Sequence, residues 1–199
     1  FTALPQVVTL LGTAWVLHSL YAWSQTGKRS TLWCLVVSLA VWSNLDPRAF
    51  IGWLILLAWL VGTSVGQKFG RGGDHANASL KDLTIAAGAG LVALMVHPFG
   101  WHTILSPFQL YGVEIPALAK YAGRISLPEE IQLVSLIDSA VWNNLNQHTI
   151  AALLIAVVAV ATSIMNAARV NVGLFLAFVV TLGLSVLCSH ELGAATLIA

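Results

Sequence analysis

The sequence predicts an all-α fold: a polytopic transmembrane helical bundle of about six spans with an outer interfacial segment of short helices. Three observations predict it. Residues 1–27, 30–45, 49–67, 83–113, 139–168 and 170–190 carry no Asp, Glu, Lys or Arg. A helix needs roughly 20 mostly apolar residues to cross about 30 Å of hydrocarbon, and a charge at its centre costs on the order of 3 kcal/mol, so runs of this length read as spans. Hydrophobic residues make up 58% of the chain and charged residues 9%, with mean hydropathy +0.84, which leaves too few charges to cover a water-facing surface. Eight tryptophans complete the pattern, because indole rings favour the membrane boundary.

Span one, Leu4 to Trp23, opens with Pro5, where proline's missing amide costs nothing in a first helical turn. It ends at the polar turn SQTGKRS. Span two, Thr31 to Asn44, is short, but Lys28 and Arg29 can snorkel at one end and Trp42 can anchor the other. The reversal WSNLDPRAF at residues 42–50 leads into span three, Phe50 to Gly66. Residues 67–82 form the most polar stretch, a glycine-bearing loop. Span four begins near Leu83 and is rich in Ala and Gly, a composition that lets helix backbones approach closely, so it is expected to be an internal, packed helix.

Pro98 ends that span, since helical geometry is disfavoured before a proline. Residues 98–148 form the outer interfacial segment between spans four and five, cut into short pieces by Pro107, Pro116 and Pro128. Pro128 followed by Glu129 and Glu130 suits a helix start. Thr149 to Met165 and Val170 to Cys188 are spans five and six, and the whole of 1–199 reads as a single transmembrane domain. Short turns make spans one and two, and five and six, antiparallel hairpins. Phe1 is not an initiator Met and the last residues remain apolar, so the chain reads as a fragment of a longer protein.

Lys28, Arg29, Lys68, Arg71, Lys81 and Arg169 fall on one side of these spans, and Arg48, Lys120 and Arg124 on the other. The excess of cations makes the first side cytoplasmic and puts both termini near the outer face. Most acids then lie outside, as do the histidines around Pro98. A net charge of +1, with no basic cluster longer than two adjacent residues, excludes nucleic acid as a partner. The lipid bilayer is the partner the composition requires.

Asp46 and Arg48 lie in the tightest outer turn. They could bind a phosphate or sugar, with Arg48 as the anion ligand and Asp46 as acceptor or base. The competing reading is that Asn44 or Asp46 caps span three, with Pro47 in its first turn. His97, Trp101 and His102 flank Pro98, and His148, His190 and Glu191 are at the same level; metal ligation and ordinary interfacial histidine are the two readings, and no metal or cofactor is expected. His18 lies mid-span, either functional or a neutral imidazole hydrogen-bonded to a neighbouring helix. Cys34 and Cys188 read as small buried hydrophobes rather than a disulfide. GRGGD at 70–74 has neither the preceding strand nor the GK[ST] ending of a phosphate loop, which excludes nucleotide hydrolysis by that route.

Three blocks carry a family resemblance. LWCLVVSLAVWSNLDPRAFIGWLILLAWLVG at 32–62 resembles an LW-rich helix leading to a W-x-N motif, with DPRAF where His-Gly-Gly is usual. LMVHPFGWHTILSPFQL at 94–110 is similar to an N-P-[YF]-G-W element, with His97 in place of Asn. NAARVNVGLFLAFVV at 166–180 looks like a basic turn before a late span. In this order they resemble the C-terminal half of polytopic bacterial glycosyltransferases of the GT-C superfamily, relatives of the dolichyl-phosphate-mannose protein mannosyltransferases.

The resemblance implies sugar transfer from a polyprenyl-phosphate donor at the outer face of the bacterial inner membrane, by inverting displacement assisted by a carboxylate. In such families that carboxylate lies mainly in a first outer loop, upstream of anything resembling this chain, so the remaining N-terminal helices of the parent protein become an implied partner. By matched position Asn44, His97, Gly100 and Trp101 would line the outer cavity. With Asp46, Arg48 and His102 added from the same outer face, the expected substrate-binding set is Asn44, Asp46, Arg48, His97, Trp101 and His102. The alternatives are a non-catalytic membrane scaffold or accessory subunit and, third, a transporter.

Overall fold

The computed structural model describes residues 4–68, 79–96, 147–165 and 172–187, and among these every regular element is helical. In chain order they are α1 (Leu4–Thr26), α2 (Arg29–Leu45), a 3-10 turn (Pro47–Ala49), α3 (Phe50–Lys68), α4 (Leu80–Leu94), α5 (Gln147–Met165) and α6 (Val172–Leu187). Two stretches, Val7–Thr26 and Phe50–Lys68, are long and apolar enough to cross a membrane. The others are shorter or carry shorter apolar stretches; the 15 residues of α4 reach only about 22 Å at 1.5 Å per residue. The expectations for residues 98–146 lie outside the described residues.

Local chemistry sets each boundary. Gly27 takes φ 64°, and its N–H donates to Trp23 O at 2.7 Å. That left-handed conformation is cheap for glycine alone and turns the chain from α1 into α2 within two residues. Ser79 caps α4: its Oγ accepts from Asp82 N at 3.4 Å, and Asp82 adds negative charge in the first turn. The helix therefore starts at Leu80, three residues before the expected Leu83, because a charge in a capped first turn belongs to the helix rather than bounding it. At its other end α4 stops at Leu94, with the Met95 N–H still donating to Val92 O at 2.9 Å.

Side-chain links give the topology. Arg29 Nε donates to Asp82 Oδ2 at 2.9 Å, joining the starts of α2 and α4, and Asn44 Nδ2 donates to Val96 O at 2.6 Å, joining their ends. These two helices are thus parallel neighbours, as alternate members of an up-and-down series must be. Trp53 Nε1 donates to Ala87 O at 2.9 Å and ties α3 to α4. A Cβ placed on Gly62 would stand 2.4 Å from Gly173 Cα, so the end of α3 meets the start of α6 backbone to backbone. The two helices pack extensively from there.

The core follows helical spacing, as in Leu32, Leu35, Leu39 and Trp42 on α2 and Val16, Leu20 and Trp23 on α1. The outer faces are also apolar. Leu11, Trp15 and Tyr21 on α1, Trp33, Val37, Val41 and Leu45 on α2, and Leu154, Val157 and Val158 on α5 are all exposed. Buried positions, by contrast, include Thr9, Thr13, Ser19, Ser43, Asp46 and Arg48. Hydrophobicity therefore does not distinguish inside from outside in this bundle.

Three expectations are corrected on that account. Cys34 is exposed rather than buried, because it falls on the same outward stripe of α2 as Val37 and Val41. His18 is also exposed, its ring 6.2 Å from that of Trp15 one turn earlier, and no hydrogen bond joins it to another helix among the described residues. Helix α4 is packed on one face only: Ala86, Ala87 and Gly90 are buried, while Ile85, Gly88 and Val92 face out.

The close approach of α3 and α6 is testable. Gly62→Ala should lower the thermal midpoint in detergent, with a loss on the order of 1–3 kcal/mol as the backbones are forced apart. Gly88→Ala, which meets nothing within 4 Å, should hold or raise it. Equal behaviour of the two variants would mean that α3 and α6 do not meet at Gly62.

Candidate functional site

The polar centre of the described structure is the α2–α3 reversal. Asp46 has extended backbone geometry, φ −148° and ψ 126°, and its N–H still donates to Trp42 O at 2.9 Å as α2 ends. Its side chain caps the 3-10 turn that leads into α3, rather than α3 itself as the capping reading of the sequence expects, with Oδ1 accepting from Arg48 N at 2.9 Å and Pro47 in that turn. The second carboxylate oxygen, Oδ2, accepts from the hydroxyl of Thr9 on α1. Thr13 lies one turn along α1, and its Oγ1 donates to Thr9 O at 2.8 Å.

This cluster is sealed: Asp46 is 2% exposed, Thr9 3%, Thr13 0% and Arg48 7%. A buried carboxylate is tolerable only when its oxygens are satisfied, and here both accept. Trp42 closes the inner side. Its ring lies against Gly12 of α1, where a Cβ would come within 2.5 Å of it, and against Gly52 of α3, where a Cβ would come within 2.7 Å. The Trp42 indole N–H is buried without an acceptor among the described residues.

Asn44, grouped with Asp46 and Arg48 in the sequence, is exposed and faces a different neighbour. Its amide donates to Val96 O at 2.6 Å, which holds the end of α4 to α2, and to Ala40 O at 2.8 Å one turn back on its own helix. His97, Trp101 and His102 lie outside the described residues. Among the described residues no group of three or more His, Cys, Asp or Glu gathers to hold a metal.

Sequence reasoning missed Thr9 and Thr13. The available signal was their spacing: Thr9, Thr13, Val16, Leu20 and Trp23 form one helical stripe, polar only at the end that approaches Asp46. A second feature was also missed, an open apolar groove of about 820 Å³ between α1 and α2. Val8, Leu11, Gly12 and Trp15 line one side; Trp33, Cys34, Val37, Ser38, Val41, Trp42 and Leu45 line the other. Val8 and Leu45 at its end are the sequence neighbours of Thr9 and Asp46, so the groove abuts the sealed polar cluster.

Comparison with protein-family models, with curated proteins and with solved structures finds no match for this chain.

The hydrogen bond between Thr9 and Asp46 can be measured by a double-mutant cycle. Thr9→Val and Asp46→Ala should each destabilise the chain by about 1–2 kcal/mol, the first by leaving a buried acceptor unsatisfied and the second by removing a cap. The double variant should fall short of the sum by about 1 kcal/mol. Additive losses in detergent unfolding would show that the two side chains do not interact.

Proposed function

We propose that the chain is an integral membrane portion, with about six spans, of a glycosyltransferase that uses a polyprenyl-phosphate-linked sugar donor at the outer face of the bacterial inner membrane. It contributes lipid-side helices and the outer wall of the donor cavity rather than the catalytic base. The observation that carries this reading is the groove between α1 and α2. It is apolar along its length, open on its outer side, and ends beside the polar reversal. A polyprenyl chain could lie along it, with its phosphate at the end where Val8 and Leu45 adjoin the reversal.

The membrane setting is supported by the polarity of the bundle. Large apolar side chains face outward on α1, α2 and α5 while hydroxyls and an Asp are buried, an arrangement that water would oppose and lipid would not. In this reading the end carrying Lys28, Arg29, Lys68 and Lys81 is cytoplasmic and the Asp46 end faces outward. Its partners are the bilayer, the lipid-linked donor and the remaining helices of the parent protein.

The transfer consists of attack by an acceptor hydroxyl on the anomeric carbon, departure of the polyprenyl phosphate and removal of the hydroxyl proton by a base. Asp46 is the buried carboxylate of the described residues, and both its oxygens are already acceptors for Thr9 and Arg48. A base committed in this way is poorly placed to take a proton, which agrees with the resemblance in assigning that role to a loop elsewhere. A second reading, a non-catalytic scaffold or accessory subunit, is favoured by one observation: Asn44 and Asp46 both hold helices together.

Filling the groove distinguishes the two. Cys34 is exposed on the groove wall, so Cys34→Trp should leave folding intact. In membranes containing the parent protein it should reduce transfer from a radiolabelled polyprenyl-phosphate sugar about tenfold, equivalent to about 1.4 kcal/mol. Undiminished transfer would remove the groove from the donor site, and no transfer by the unsubstituted parent would overturn the glycosyltransferase reading.

A further inference from the structure

We propose that the end of the bundle opposite Asp46 is a binding surface for the headgroups of anionic lipids. The serial up-and-down arrangement of α1 to α4 brings together the α1–α2 turn, the end of α3 and the start of α4. The Arg29–Asp82 ion pair at 2.9 Å fixes two of these termini directly. Four cations occupy that end, Lys28, Arg29, Lys68 and Lys81, and all four are exposed.

Among the described residues their charge exceeds the acid at that end. Asp82 is the carboxylate at that end among the described residues; its side chain is only 11% exposed and accepts from Arg29. Among the described residues that end therefore carries four cations against one carboxylate, and that carboxylate, next to Lys81 in the chain, is already engaged by Arg29. Among the described residues the opposite end differs in kind, since Asp46 and Arg48 there are of opposite sign and both buried. The asymmetry belongs to the folded bundle as well as to the sequence.

Position identifies the partner's chemistry. Each cation lies at the last or first turn of an apolar helix, or in the turn between two, at the level where a spanning helix meets the phosphates of a bilayer. Lysine can lay its aliphatic stem along the apolar helix end and extend its ammonium to that level. Gly27 is what keeps the α1–α2 turn tight enough for Lys28 and Arg29 to stay at this height. Basic residues at such a boundary attract anionic headgroups, and the attraction weakens with added salt.

This inference rests on the membrane-integration reading above, and the experiment separates the two. The full chain is reconstituted in nanodiscs of mixed phosphatidylcholine and phosphatidylglycerol, and the lipids that remain bound after detergent extraction are quantified. Phosphatidylglycerol should be retained above its proportion in the disc, with the enrichment declining as salt is raised. Lys28→Gln/Lys68→Gln/Lys81→Gln, which leaves the Arg29–Asp82 pair intact, should lose the enrichment, by up to about fivefold per lysine. Retention at the bulk ratio by the unsubstituted chain, or undiminished enrichment in the triple variant, would overturn the proposal. Release of the chain from vesicles by alkaline carbonate would instead overturn membrane integration itself.

Discussion

The Asp46 carboxylate connects three elements that would otherwise meet only through interchangeable apolar contacts. One oxygen fixes the 3-10 turn that starts α3, the other holds Thr9 of α1, and the Asp46 N–H continues the last turn of α2. In a bundle whose helix faces are mostly apolar, dispersion packing alone permits many rotations of one helix about its axis at similar energy. A buried charge with specific acceptor directions permits few, because any rotation that breaks a hydrogen bond leaves an unsatisfied carboxylate oxygen in a low-dielectric setting. Trp42 depends on this arrangement: its ring fits between α1 and α3 only where Gly12 and Gly52 both present bare backbone to it. From there the order spreads along α3, through Trp53 to α4 and through Gly62 to α6.

The positions of the helices were largely legible in the sequence, because a charge-free run and an apolar helix share the same physical cause. The starts and ends of α1, α2, α3 and α6 fall within a few residues of those runs, as does the end of α5. Which way each helix faces was not legible. Reading a face requires a contrast between apolar and polar positions, and Cys34, His18 and the glycines of α4 sit in stretches that lack it. The start of α4 was missed for a different reason: Lys81 and Asp82 looked like a boundary, whereas Ser79 and Asp82 together are a capping signal.

The candidate site was half legible. Asp46, Asn44 and Arg48 stand out as polar residues in an apolar region, but the sequence groups them by proximity along the chain. The structure separates them by neighbour: Asp46 reaches α1, and Asn44 reaches the end of α4. Thr9, 37 residues from Asp46, could not be paired with it without knowing that α1 returns alongside the reversal. The groove was invisible for the same reason, since it exists only between two helices and is lined by residues that each look like ordinary lipid-facing side chains.

The parallel pair α2 and α4 is fastened at both ends by bonds of unlike character. At one end is an ion pair whose Arg29 side chain is 72% exposed, and at the other an amide donating to a backbone carbonyl. Ions in the surrounding solution weaken the first and leave the second almost untouched. The pair is thus built like a clasp with one loosenable end: rising ionic strength weakens the tie at the starts of the two helices and leaves the tie at Asn44 in place.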